Sequence, residues 1–149
     1  MRPAGRWLPC RSIDAGEDVS EHPNVPKIRS ALDVYNSGDH EGMKAFLADG
    51  IVWHVGGNHE LSGDYRGVDA VLGYFRDVRR KTAGTLQVEA EEILANDRHA
   101  SIFMHVTAHR DVRRLDVLLA EALTLDDGGR WSEYWALAND QDAVDAFWA

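Results

Sequence analysis

The residues of this chain best suited to moving protons are histidines and carboxylates on short alternating strands. The stretch "IVWHVGGNHELSG", residues 51–63, sets His54 in an apolar strand that breaks at two glycines. Alternation sends Ile51, Trp53 and Val55 to one face and Val52, His54 and Gly56 to the other. An imidazole titrates near neutral pH, so His54 can take a proton without a large pKa shift. The same residue reads equally as a hydrogen-bonded histidine that seals a pocket wall. In the last strand Trp131, Glu133, Trp135 and Leu137 share one parity. A carboxylate buried among such groups must be hydrogen-bonded or have a raised pKa. Glu133 is therefore expected to be a histidine partner or acid/base group, the alternative being an exposed rim residue. His105 in "SIFMHVTAH" and Asp116 in "RRLDV" complete the catalytic candidates. Periodicity does not decide which face of the His105 strand is inner, and Asp116 reads equally as an ion-pair partner of Arg113 or Arg114.

The same strands nominate Val52, Tyr65, Phe103, Thr107, Leu118 and Trp135 as ligand contacts, although buried aromatics also serve simply as core. No metal site is expected. His105 and His109 share one face of a strand but stand about 13 Å apart, too far to hold one ion.

Around these candidates, Ile28, Ala31, Leu32 and Tyr35 keep helical spacing until Asn36 and Gly38 supply a stop. Asp39 can cap a short helix carrying Met43, Phe46 and Leu47, expected to end at Gly50. After "GGNHELSGDYRG", read as a connection, Val68, Val71, Leu72, Phe75 and Val78 mark the clearest amphipathic helix, ending near Gly84. Four β segments follow, about 85–95, 99–110, 113–126 and 130–138, and their short turns predict an antiparallel meander. Asp140 can cap a terminal docking helix with Val144, Phe147 and Trp148 on one stripe. Residues 1–24, rich in proline and without apolar period, read as a mobile tail ahead of one domain over 25–149. The class is α+β, with helices packed on one face of a curved sheet.

Composition narrows the partners. With 149 residues, one domain suffices, and 44% hydrophobic with 28% charged residues is ordinary for a globular chain. Sixteen basic against 25 acidic residues give a net charge of −9, which opposes phosphate backbones and anionic lipid, so neither nucleic acid nor membrane is expected as a partner. The run Arg76, Arg79, Arg80 and Lys81 fits a helix end, where cations suit the dipole. A single cysteine, Cys10, and the lack of an apolar leader or span lead to a cytoplasmic expectation.

Four segments taken together resemble a known family: "FLADGIVWHVGG", "LSGDYRGVDAVLGYF", "ILANDRHASIFMHVTAHRD" and "WSEYWALANDQDAVDAFW". Their order and spacing, over about residues 27–148, are similar to the SnoaL-like branch of the nuclear-transport-factor-2-like superfamily, which also holds ketosteroid isomerases and limonene epoxide hydrolases. The resemblance implies a cone: a curved, mostly antiparallel sheet with three to four helices enclosing an apolar pocket, often in a homodimer. It implies further that His54 stands where ketosteroid isomerases keep an aspartate base and epoxide hydrolases an asparagine. Glu133 is similarly placed to the second epoxide hydrolase aspartate. His105 and Thr107 occupy the places of that enzyme's arginine and aspartate, which argues against epoxide hydrolysis.

Two functions are expected to compete. One is a cofactor-free acid/base enzyme, isomerase or cyclase in type, acting on an apolar oxygenated metabolite such as a polyketide or steroid-like compound. The other is a non-catalytic ligand-binding or dimerisation module of the same fold. "GGNHELSG" lacks the lysine of a phosphate-binding loop, and Ile102, Met104 and Val106 are expected on an outer sheet face suited to homodimer contact.

Overall fold

The computed structural model describes residues 21–149. The tail expected over 1–24, with Cys10, lies for residues 1–20 outside the described residues; Glu21 pairs with Arg29 at 2.9 Å. The first helix, α1 (Asn24–Ser37), buries Val25, Ile28, Ala31 and Leu32 and ends at Gly38. Gly38 adopts φ +79° and its N–H donates to the Tyr35 carbonyl at 3.1 Å, a left-handed stop that glycine takes without steric cost. Asp39 then accepts from the Gly42 N–H at 2.9 Å and opens a 3₁₀ turn, Glu41–Ala45.

The helix expected to run to Gly50 is not formed. Strand β1 (Leu47–Val55) begins earlier, because the Phe46 carbonyl accepts from the Trp131 N–H at 2.7 Å and Leu47 pairs with Trp131 across the sheet. That long-range pairing outweighs the weak helical preference of so short a segment. The expected connection after β1 also contains an edge strand, β2 (Gly63–Arg66), antiparallel to β1. Helix α2 (Val68–Lys81) follows and buries Val71, Leu72, Phe75 and Val78. The meander is β3 (Gln87–Ala95), β4 (His99–Arg110), β5 (Arg113–Leu125) and β6 (Trp131–Ala138). Helix α3 (Gln141–Trp148) closes the chain, with Asp140 accepting from the Ala143 N–H.

The six strands lie in the order β2-β1-β6-β5-β4-β3. All neighbours are antiparallel except β1 and β6. The β5–β6 register slips between Thr124–Glu133 and Leu125–Trp131, leaving Ser132 as an extra residue. A one-residue bulge reverses side-chain direction. Trp131 is accordingly buried while Glu133 is half-exposed on the opposite face, which corrects the expectation that the two share a face.

The wholly apolar face of the meander turns toward the helices. Ile102, Met104, Val106, Leu115, Val117 and Leu123 are all buried there. Ile102, Met104 and Val106 are therefore core rather than the outer homodimer contact expected from sequence, since burying a continuous apolar face against helices removes the most apolar area from water.

Candidate functional site

A cavity of about 140 Å³ lies between the helices and this inner face. Alternation along β5 points Leu115, Val117, Leu119, Glu121, Leu123 and Leu125 the same way, and Glu121 is the one carboxylate in the row. Its side chain lines the cavity and is 7% exposed. The Tyr134 hydroxyl on neighbouring β6 donates to Glu121 Oε1 at 2.6 Å. Burial pushes the Glu121 carboxyl up to about 7, with the Tyr134 hydrogen bond pulling weakly the other way. The group is thus poised between acid and base near neutral pH.

Aromatic packing holds this pair in place. Trp53 stacks on the Tyr134 ring with centroids 3.6 Å apart and planes 10° from parallel, and meets Phe75 edge-on at 5.0 Å. Tyr35 from α1 and Tyr74 from α2 also line the cavity. Burial raises both phenols above their ordinary range, and Glu121 adds to the effect in each. Among the described residues neither hydroxyl has a hydrogen-bond partner, so both keep a donor for something in the cavity. At one end of the cavity stand Gly56, His59, Gln141, Val144 and Trp148. The His59 side chain is 2% exposed, and burial lowers its pKa against the opposing pull of Asp145.

The residues nominated from sequence fall elsewhere. His54 borders the cavity along β1, but its ring lies on the outer face. Its Nδ1–H donates to Asp64 at 2.6 Å and its Nε2–H to Glu133 at 2.8 Å, while the ring stacks on Trp135 at 5.4 Å. The Glu133 hydrogen bond, then the Asp64 one, raises the His54 pKa. Two carboxylates thus clamp the His54 ring, and Glu133 is indeed a histidine partner, though outside the cavity. His105 is bonded to Asp116 on the same outer face, which raises its pKa in turn. Phe103, Leu118 and Trp135 are exposed on that face, 49%, 43% and 41% respectively. Val52 and Thr107 share it through their cross-strand partners Glu133 and Asp116. Tyr65 packs on Tyr74 at 4.8 Å and donates to the Leu61 carbonyl, outside the cavity lining. Apart from Tyr65, which pairs with inner-facing Trp53, the expected ligand contacts and the cavity are therefore separated by the thickness of the sheet, because the helices cover the other face.

Glu121 was detectable in the sequence: "LDVLLAEALTL" places a lone carboxylate on a strand face otherwise made of leucines and valine. Tyr35 and Tyr74 carried no such signal, since helical aromatics are ordinary core. Among the described residues no group of three or more His, Cys, Asp or Glu is arranged to hold a metal ion, and no helix is long and apolar enough to cross a membrane.

Comparison with known proteins agrees with this architecture. An uncharacterized protein of Mycobacterium tuberculosis is 28% identical over 134 residues, spanning 88% of this chain and all of the relative. The structure of Bal32a, from a soil-derived mobile gene cassette, superposes with a TM-score of 0.80 at 26% identity, covering 85% of this chain and 96% of that one. A putative SnoaL-like polyketide cyclase from Jannaschia sp. CCS1 shares the fold with a TM-score of 0.71 at 15% identity, over 87% and 97% of the two chains. The profile of the SnoaL-like domain matches residues 28–134, and with this α+β architecture the chain belongs to the SnoaL-like domain family.

Proposed function

We propose that the protein is a cofactor-free acid/base enzyme, isomerase or cyclase in type, acting on a neutral apolar molecule that carries a carbonyl oxygen. The observation that carries this reading is Glu121: a single carboxylate, buried in an apolar cavity, with a carboxyl near pH 7. In its ionised form Glu121 removes a proton from carbon next to the carbonyl. The free hydroxyls of Tyr35 and Tyr74 donate to the oxygen on which negative charge develops, where fixed donors in a dry site act most strongly. Protonated Glu121 then returns the same proton at another carbon, leaving atoms and charge balanced. Tyr134 orients the carboxyl throughout. The likeness to a protein described as a polyketide cyclase supports this class without naming a substrate.

The test is deuterium uptake from D₂O, followed by NMR, across a panel of enolisable and β,γ-unsaturated ketones. Wild-type protein accelerates exchange or double-bond migration for at least one compound, and Glu121→Gln removes that acceleration. Saturable binding of several ketones with no exchange in any would instead support a ligand-binding module.

We infer in addition that a second copy of the chain covers the outer sheet face. Phe103, Leu118, Trp135 and Leu137 are exposed there, with Ala120 opposite Phe103 and Leu137, Ala122 opposite Trp135 and His105 opposite Leu118, and a single sheet face shared by two copies suits a two-fold contact. The single cysteine and acidic composition support a cytoplasmic setting for one domain over residues 25–149.

A further inference from the structure

We propose that Asp145 is a specificity-determining residue that latches one end of the cavity shut and thereby restricts the ligand to single-ring size. The inference rests on the cavity as the binding site, the reading given above. A volume of about 140 Å³ is comparable to the apolar cavity of about 150 Å³ that accepts benzene. Pockets for drug-sized ligands begin near 300 Å³. As it stands, the cavity is too small for a steroid-like compound, one of the two examples expected from sequence, and the latch explains what holds it at that size.

The cavity's end is made by the loop after β1 and by α3, through Gly56, His59, Gln141, Val144 and Trp148. Asp145 joins the two. Its Oδ1 accepts from the Asn58 N–H at 3.0 Å and from Gln141 Nε2 at 3.0 Å, and His59 Nε2 lies 4.0 Å away. The close approach is possible because Gly57 has no side chain. At φ +88° its backbone runs so near α3 that a Cβ would sit 2.3 Å from both Asp145 Oδ1 and Gln141 Nε2. The remote ends of both walls are anchored independently. Glu60 pairs with Lys81 at 2.8 Å and with Arg110 at 3.4 Å, while Arg110 donates to the Phe147 carbonyl at 3.1 Å. Loss of Asp145 therefore frees the edge over the cavity while loop and helix stay attached. Asp145 touches no reacting atom in the proposed chemistry; it acts by positioning Asn58, Gln141 and His59.

The experiment is calorimetric binding of three neutral ketones to the full chain: 2-cyclohexenone with one ring, 1-indanone with two and 9-fluorenone with three. Wild-type protein is expected to bind 2-cyclohexenone about tenfold or more tightly than 9-fluorenone, against the trend of apolar area. Asp145→Ala is expected to abolish or invert that ratio while changing 2-cyclohexenone affinity by no more than about threefold. Asp145→Asn, which keeps an accepting oxygen, retains the wild-type ratio. If Asp145→Ala does not fold, Gly57→Ala, which pushes the loop off α3 at the same place, is expected to give the same inversion. Wild-type protein that prefers 9-fluorenone, or an Asp145→Ala protein that keeps the wild-type ratio, overturns the latch and leaves the cavity reading standing. Failure of all three ketones to bind overturns both.

Discussion

The Tyr134 hydroxyl reaches Glu121 Oε1 at 2.6 Å, so the carboxyl buried against the apolar cavity has one side-chain hydrogen-bond donor. A carboxyl so placed is costly to ionise and cheap to protonate, and that asymmetry sets the first prediction.

Stability falls as pH rises through the range in which Glu121 ionises in the unfolded chain only. The folded carboxyl titrates at about 7 against an ordinary 4.5, so between those values the folded state holds the extra proton. The penalty grows with pH and is complete above about 7, at about 3 kcal/mol. Glu121→Gln removes the slope. Urea melts between pH 4.5 and 8 are expected to show the variant pulling ahead of wild type toward alkaline pH, and parallel curves would remove the buried-carboxyl assignment.

Tyr134→Phe deletes the one hydrogen bond that opposes the upward shift of Glu121. The carboxyl's midpoint, followed by infrared or carbon NMR, is expected to move higher still. Stability at pH 7 drops by about 1–3 kcal/mol, the range for stranding a buried polar partner. A midpoint that stays put would mean the tyrosine does not govern the carboxyl.

On the other side of the sheet, Glu133→Gln is expected to lower the His54 pKa, since the Glu133 hydrogen bond is the largest cause of its rise. The clamp stabilises the fold below the unfolded histidine value near 6.5 and its contribution is lost as pH climbs through the raised folded value. Histidine NMR titration reads the shift. Ketone binding in the cavity is expected to be unchanged, because His54 and Glu133 meet on the outer face.

Leu118→Glu together with Trp135→Glu places charges on the exposed apolar face. Sedimentation is expected to give a dimer for wild type and a monomer for the double variant, with unchanged circular dichroism. A monomeric wild-type protein at working concentration would sink the second-copy reading.

Gly38→Ala tests the stop of α1. Its added Cβ would meet the end of the Arg79 side chain at 2.1 Å, which a flexible guanidinium can vacate, so the main cost is alanine held at φ +79°. Thermal or urea melts are expected to show a loss of about 1–2 kcal/mol.

Much of the architecture was legible in local patterns. The three helices, the four meander strands and the Asp140 cap all follow from apolar spacing and turn residues, since a helix or strand announces its own period whatever it packs against. The early start of β1 was not legible, because it depends on pairing with distant Trp131, and β2 was not because a four-residue edge strand is too short to show a period. The family was readable from four segments in order, whereas of the site only Glu121 left a signal, as a lone carboxylate on a leucine and valine face.

By itself the sequence determined which side chains share a face: Trp53 against His54, Leu115, Val117 and Glu121 against Asp116 and Leu118. Tertiary structure alone decided which of those faces is inside. Alternation is a property of one strand and is symmetric between its two sides, whereas burial depends on where α1, α2 and α3 come to rest. The helices cover the leucine and valine side, so Glu121 enters the cavity and the His54–Glu133 and His105–Asp116 pairs are left on the outer surface. The bulge at Ser132, which parts Trp131 from Glu133, and the meeting of Asp145 with Asn58 are likewise products of long-range packing, for which no local period exists.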